Sequence, residues 1–238
     1  IDERGQVVDR LVYTCEYLFL AAGSVGTTNL LVRAKAQGFL PALNDEVGAG
    51  FGNNGNVYAL RTQIRTSMGQ WQGGPPSLGI QDFDNPISPL FIEHPQLPLG
   101  LDIRTLLYFG VGINPTRGRF YYDQSNQRVE LSWPRRGNGQ TTVNAAMLHT
   151  MRKLNQANGG TLNPLLFGRN LKDDAVYHPL GGAVMGKACD HFGRVSGYQK
   201  LYVMDGALIP GSTACANPAF TIAAFAERNI EAILATDF

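Results

Sequence analysis

The last quarter of the chain constrains its fold more than any other part. His178-Pro179-Leu180-Gly181-Gly182 is a tight turn, Gly193-Arg194-Val195 follows, and Leu201-Tyr202-Val203-Met204-Asp205-Gly206 is an apolar strand ending in Asp-Gly. Asn217-Pro218 then opens an apolar helix. A strand that ends in Asp-Gly near a helix start is the pattern that floors nucleotide and flavin sites in α/β proteins. A preceding strand–Gly-loop–helix unit is not seen, and the chain starts without Met. The expectation is therefore the C-terminal piece of a larger cofactor enzyme.

The pattern along the chain divides it into three parts. In residues 1–50, Glu3-Arg4-Gly5-Gln6 reads as a turn and Val7 to Tyr13 as the returning strand of a hairpin. Tyr17 to Ala22 is apolar without alternation, which suits a parallel strand covered on both faces. Gly23-Ser24-Val25-Gly26 turns into a helix expected over Thr27 to Ala36. Residues 51–172 read as an inserted antiparallel domain. Leu101 to Ile113 alternates as a long strand, and Phe120–Asp123 and Arg128–Trp133 flank a polar hairpin turn. Ser67 to Asn85 reads as a loop. Thr142 to Asn158 reads as a helix with Val143, Met147, Thr150 or Met151, and Leu154 on its buried stripe, ended by Gly159-Gly160, with His149 solvated on the polar side. Residues 173–238 return to the first domain. The predicted class is α/β plus α+β: a Rossmann-like domain with an inserted antiparallel-sheet domain.

Composition narrows the function classes. A net charge of +1 gives no electrostatic case for nucleic acid or an anionic membrane. No apolar run reaches the about 18 residues that mark a membrane span. Cys15, Cys189 and Cys215 fit neither a disulfide framework nor a zinc site, so no metal is expected and the three read as buried small hydrophobes.

Four features bear on chemistry. Gly50-Phe51-Gly52-Asn53-Asn54-Gly55 matches G-x-G-x-x-G, but no helix pattern follows and no acidic residue lies about 20 positions on. The run reads instead as a close approach of backbone, with Asn53, Asn54 and Asn56 as polar groups. Asn217 fits a helix cap and Pro218 the first helical position. The pair reads as an ordinary cap, or as a helix start whose partial positive charge stabilises a reduced flavin. His178, extended by Pro179, reads as structural or catalytic. Glu93, in Leu90-Phe91-Ile92-Glu93-His94, reads as an exposed edge residue, or as a desolvated general base.

Taken together, Leu18 to Thr28, Val47 to Asn56, Tyr177 to Gly182 and Leu201 to Pro210 resemble the glucose–methanol–choline family of flavin oxidoreductases. Within it they resemble the bacterial cholesterol oxidases that hold FAD non-covalently. Thr28 departs from the Pro or Ser frequent in the glucose and choline branches.

The resemblance implies FAD as cofactor, a sterol and O2 as substrates, and a monomer once an N-terminal FAD-binding segment completes the site. It implies a secreted or periplasmic location and an isolated chain without activity. It assigns His178 to positioning and deprotonating the hydroxyl, Asn217 to the flavin and substrate oxygen, and Glu93 to proton shuttling during double-bond isomerisation. Gly23, Asp205, Gly206, Asn217, Pro218, Ala219 and Phe220 would line the flavin. A family alcohol oxidase or dehydrogenase without isomerase activity, and a catalytically inert fragment, are the alternatives.

Overall fold

The computed structural model describes residues 8–9, 11–69, 78–95, 100–134, 139–162 and 174–238. In chain order the first elements are β1 (Leu18–Leu20), α1 (Gly23–Ala36), β2 (Ala49–Phe51), β3 (Asn56–Thr62), β4 (Gly79–Asp82), β5 (Leu90–Glu93) and β6 (Thr105–Gly112). There follow β7 (Gly118–Asp123), β8 (Arg128–Ser132), α2 (Gln140–Asn158), β9 (Thr161–Leu162), β10 (Leu201–Val203), a 3-10 turn (Gly206–Leu208) and α3 (Ala219–Thr236).

Alternation builds the largest sheet, ordered β4-β5-β6-β3-β9 and antiparallel throughout. Successive side chains of a strand point to opposite faces. One face presents Val57, Ala59, Leu90, Ile92 and Tyr108 to the buried stripe of α2, which carries Val143, Ala146, Met147 and Met151. That stripe recurs at three- and four-residue steps, the spacing of one helix face. Arg61 lies buried on the same side. Its guanidinium donates to the carbonyls of Leu154 and Gly159 at the C-terminal end of α2 and to Asn155 Oδ1, so a cation sits on the negative end of the helix. The helix stops where Gly159 takes φ 71°.

The chain ends meet in a second layer. β1 pairs in parallel with β10, in register Leu18↔Leu201 to Leu20↔Val203. The core there combines Leu31 and Val32 of α1 with Val47, Phe51, Phe120, Leu201 and Val203. A third sheet, β2-β7-β8, joins this core to the antiparallel region.

Several expectations change. The 3–6 turn lies outside the described residues. Residues 8–9 and 11–15 form no strand, and Val12 and Tyr13 are exposed: no partner strand lies beside them among the described residues, and a lone strand does not hold. β1 is only partly covered, since Leu18 is 46% exposed. β6 starts at Thr105, and the expected 67–85 loop contains β4. α1 starts at Gly23, not Thr27. The cause is a distant acceptor: Asp205 takes the Gly23 N–H at 2.9 Å and the Thr27 hydroxyl, placing a carboxylate at the helix start. His149 is half-buried, not solvated. Cys15 is exposed; Cys189 and Cys215 are buried, as expected. The hairpin β7–β8 and the α2 stripe match the reading from sequence.

Candidate active site

The Gly48–Asn56 run and the 178–182 turn interlock. Leu180 and Gly52 exchange backbone hydrogen bonds, Gly48 N–H donates to Gly182 O at 2.7 Å, and Gly181 N–H donates to Gly206 O at 2.9 Å. Both glycines of the turn are obligatory. A Cβ on Gly181 would lie 2.1 Å from Gly50 O, and one on Gly182 would lie 1.9 Å from Thr28 Oγ1. The close-approach reading of the glycine run holds, and no dinucleotide fingerprint forms: Gly52 packs on the backbone of Gly211, and Gly55 on that of Gly112.

This interlock delivers His178 to Asn56. Asn56 Oδ1 accepts the N–H groups of Tyr177 and His178, both at 2.8 Å. Those two bonds fix the amide, so its Nδ2 faces His178 Nδ1 at 3.2 Å. An amide nitrogen can only donate. His178 Nδ1 therefore accepts, and neutral His178 carries its proton on Nε2. Burial also holds the imidazole below the ordinary histidine range. Both effects favour the neutral ring.

Glu93 ends β5 on the sheet face opposite α2. The register places Glu93, Phe109 and Tyr58 side by side across three strands. Phe109 meets the His178 ring edge-on, with centroids 5.3 Å apart. Phe91, Leu60 and Leu107 lie on the same face and are half-buried. Glu93 is half-buried among them, so it is not an exposed edge residue. Its Oε1 accepts from Asn217 Nδ2 at 2.6 Å.

That bond corrects the reading of Asn217 as a helix cap. α3 starts at Ala219, Pro218 occupies the cap position, and no side chain caps the helix. Pro218 has no N–H, and the Asn217 amide is committed to Glu93. α3 is also not buried as expected: Asn229 and Ile233 are its buried residues, and Phe220 is 86% exposed.

The other proposed cofactor residues divide by exposure. Asn217, Ala219 and Phe220 are exposed, Pro218 is buried, and Gly23 is half-buried. Asp205 is buried, with Oδ1 accepting from Ala207 N and Oδ2 from Gly23 N and Thr27. Gly206 is buried against Leu180 and Ile222. The cap residue of α3 gives its first N–H groups no side-chain hydrogen bond, and among the described residues that helix start fits the electron-rich edge of a flavin. Among the described residues, no group of three or more His, Cys, Asp or Glu could hold a metal, and no helix is long and apolar enough to cross a membrane.

The start of α3, His178, Asn217 and Glu93 make up the candidate site, and the comparisons give the family of the chain that carries it. Residues 54–168 match the family model "GMC oxidoreductase, C-terminal", and residues 115–226 match "GMC oxidoreductase". The chain belongs to the GMC oxidoreductase family and corresponds to its C-terminal portion.

Cholesterol oxidases from two Mycobacterium tuberculosis strains, CDC 1551 and H37Rv, are each 26% identical over 272 aligned residues. The match covers 92% of this chain and 47% of the relatives, so the chain spans about half their length. The crystal structure of pyridoxine 4-oxidase from Mesorbium loti superposes with a TM-score of 0.60 at 16% identity, over 91% of this chain and 51% of that one. This second likeness establishes the fold.

Proposed function

We propose that the complete protein is an FAD-dependent alcohol oxidase that converts a 3-hydroxysterol to the ketone, with O2 as electron acceptor, and then moves the ring double bond into conjugation. The observation that carries this reading is the Asn217–Glu93 hydrogen bond on an apolar, aromatic sheet face beside His178. Oxidation alone needs an oriented hydroxyl. A carboxylate placed among Phe91, Phe109 and Tyr58 adds a proton carrier where a flat apolar ring system would lie.

FAD, when bound, would supply the acceptor for the hydride of the carbinol carbon and the route of the electrons to O2. Asn217, Ala219 and Phe220 are the exposed groups that would hold its ring. The His178 Nε2–H group donates a hydrogen bond to the substrate oxygen and so orients the hydroxyl. In this tautomer Nε2 cannot also take the hydroxyl proton, so the deprotonating part of the expected His178 role passes to Glu93, the carboxylate of the same site. Glu93 passes the hydroxyl proton on to the peroxide formed from O2, and the regenerated carboxylate removes a proton from the ring carbon between ketone and alkene and returns it at the far end of the double bond, so the shift is proton-neutral. A positioned acid–base group of this kind contributes about 100- to 10,000-fold.

The test is incubation of the full-length, FAD-loaded protein with a 3β-hydroxy-5-ene sterol. Peroxide release together with ultraviolet absorption of a conjugated enone supports the proposal. Peroxide release with simple alcohols but not with sterols transfers the site to an alcohol oxidase without isomerase activity.

A further inference from the structure

Asn217 leaves a loop with an unfavourable backbone. Ala214 has φ 49° and Cys215 φ 60°, two successive non-glycine residues in the left-handed region. L side chains rarely adopt that region, and one helix terminus does not require it. Something must hold the loop there.

The holding group is Asn54, fully buried in the Asn53–Asn56 turn. Its Oδ1 accepts the Thr213 N–H at 2.8 Å, and its Nδ2 donates to Ala216 O at 2.9 Å. The Thr213 hydroxyl is shared between Asn54 Oδ1 at 3.2 Å and Ala216 O at 2.7 Å. One side chain thus grips both ends of the strained pair. The turn that carries Asn54 is seated on β6: Gly112 N–H donates to Gly55 O at 2.9 Å, and Gly55, at φ 62°, lies so close to the Gly112 backbone that a Cβ there would sit 2.3 Å from Gly112 O. Cys215 adds a contact from Sγ to Pro89 O at 3.3 Å, beside the start of β5.

We propose that Asn54 is a positioning residue that sets Asn217 against Glu93 by clamping the 213–216 loop in its left-handed conformation. Two residues on, Asn56 orients His178, so a single turn registers both polar arms of the site. The proposal rests on the oxidase reading of Asn217 and adds a residue that touches neither substrate nor cofactor.

The test uses the full-length holoenzyme. Asn54→Gly keeps the backbone conformation, since glycine accepts φ 54°, and removes only the clamp. Stopped-flow flavin reduction at saturating sterol should fall about tenfold to a hundredfold, the scale of a misplacement near 1 Å, with FAD content and substrate Kd retained. Thr213→Val should act in the same direction by a smaller factor. The discriminating measurement is a double-mutant cycle. In an Asn217→Leu background Asn54→Gly should slow reduction no further, because the group it positions is gone. Equal slowing in both backgrounds, or unchanged reduction in Asn54→Gly with FAD bound, overturns the clamp. Failure of the oxidase reading is a separate result: Asn217→Leu alone would then leave reduction unaltered, and the clamp would fall with it.

Discussion

Asn217 and Glu93, 124 residues apart in sequence, are joined by a 2.6 Å hydrogen bond from the amide of one to the carboxylate of the other. The bond couples the residue preceding α3 to the last residue of β5. It therefore ties the start of α3 to the carboxylate that the proposed function assigns to proton transfer.

Asn217→Asp should break this coupling. Two carboxylates would face each other at hydrogen-bond distance, and like charges so close cannot both ionise, so one would retain a proton to higher pH. The acid limb of isomerisation, measured with the unconjugated ketone as substrate, should move upward by about one pH unit or more. The added negative charge near α3 should also lower the flavin reduction potential in a spectroelectrochemical titration. An unchanged acid limb and potential, with FAD bound, would show that Asn217 does not act on either group.

Asn56 should control the His178 tautomer. In Asn56→Leu the two N–H groups of Tyr177 and His178 lose their acceptor and Nδ1 loses its donor. Flavin reduction by substrate should slow about a hundredfold. In Asn56→Asp an oxygen would face Nδ1 and draw the proton to it. Nitrogen-15 chemical shifts of the His178 ring report the change directly: protonated Nε2 in the natural protein, protonated Nδ1 in Asn56→Asp.

The glycine turn should tolerate no side chain. Gly182 has φ 108°, and a Cβ would collide with the Thr28 side chain from 1.9 Å. Gly182→Ala should cost about 3 kcal/mol through overpacking and should displace His178. Denaturant unfolding measures the first effect, and the rate of flavin reduction the second.

Stability should fall on mild acidification. Burial lowers the pKa of both His94 and His178 below the unfolded value of about 6.5. Below that pH the unfolded chain binds more protons than the folded one, so the unfolding free energy drops as pH falls toward the folded values. Urea unfolding at pH 7.5 and 5.5 should show the loss, and His178→Gln should reduce it.

Much of this architecture is legible in the sequence where the signal is local. The α2 stripe, the β7–β8 hairpin and the Gly181-Gly182 turn follow from periodicity and from backbone close approach. What escaped depends on residues far apart. α1 begins early because Asp205, 182 residues away, receives its Gly23 N–H. Asn-Pro before an apolar run is a cap signature, yet Glu93 claims the Asn217 amide. The sequence shows Asn54 and Asn56 as polar groups beside close-packed glycines; only the folded chain pairs one with the loop before Asn217 and the other with His178. The apolar run after Asn217-Pro218 marks α3 as a helix and suggests that it is buried, yet Phe220 is exposed and Asn229 and Ile233 are its buried residues.

Glu93 decides the central claim. Glutamine keeps the shape and an acceptor for Asn217 but cannot take a proton. Full-length Glu93→Gln, loaded with FAD and given a 3β-hydroxy-5-ene sterol, should continue to release peroxide, at a reduced rate, while the unconjugated ketone accumulates and the enone absorption grows at least about a hundredfold more slowly. Enone formation at the unchanged rate would contradict the assignment of Glu93 as the proton carrier and with it the sterol-isomerising function.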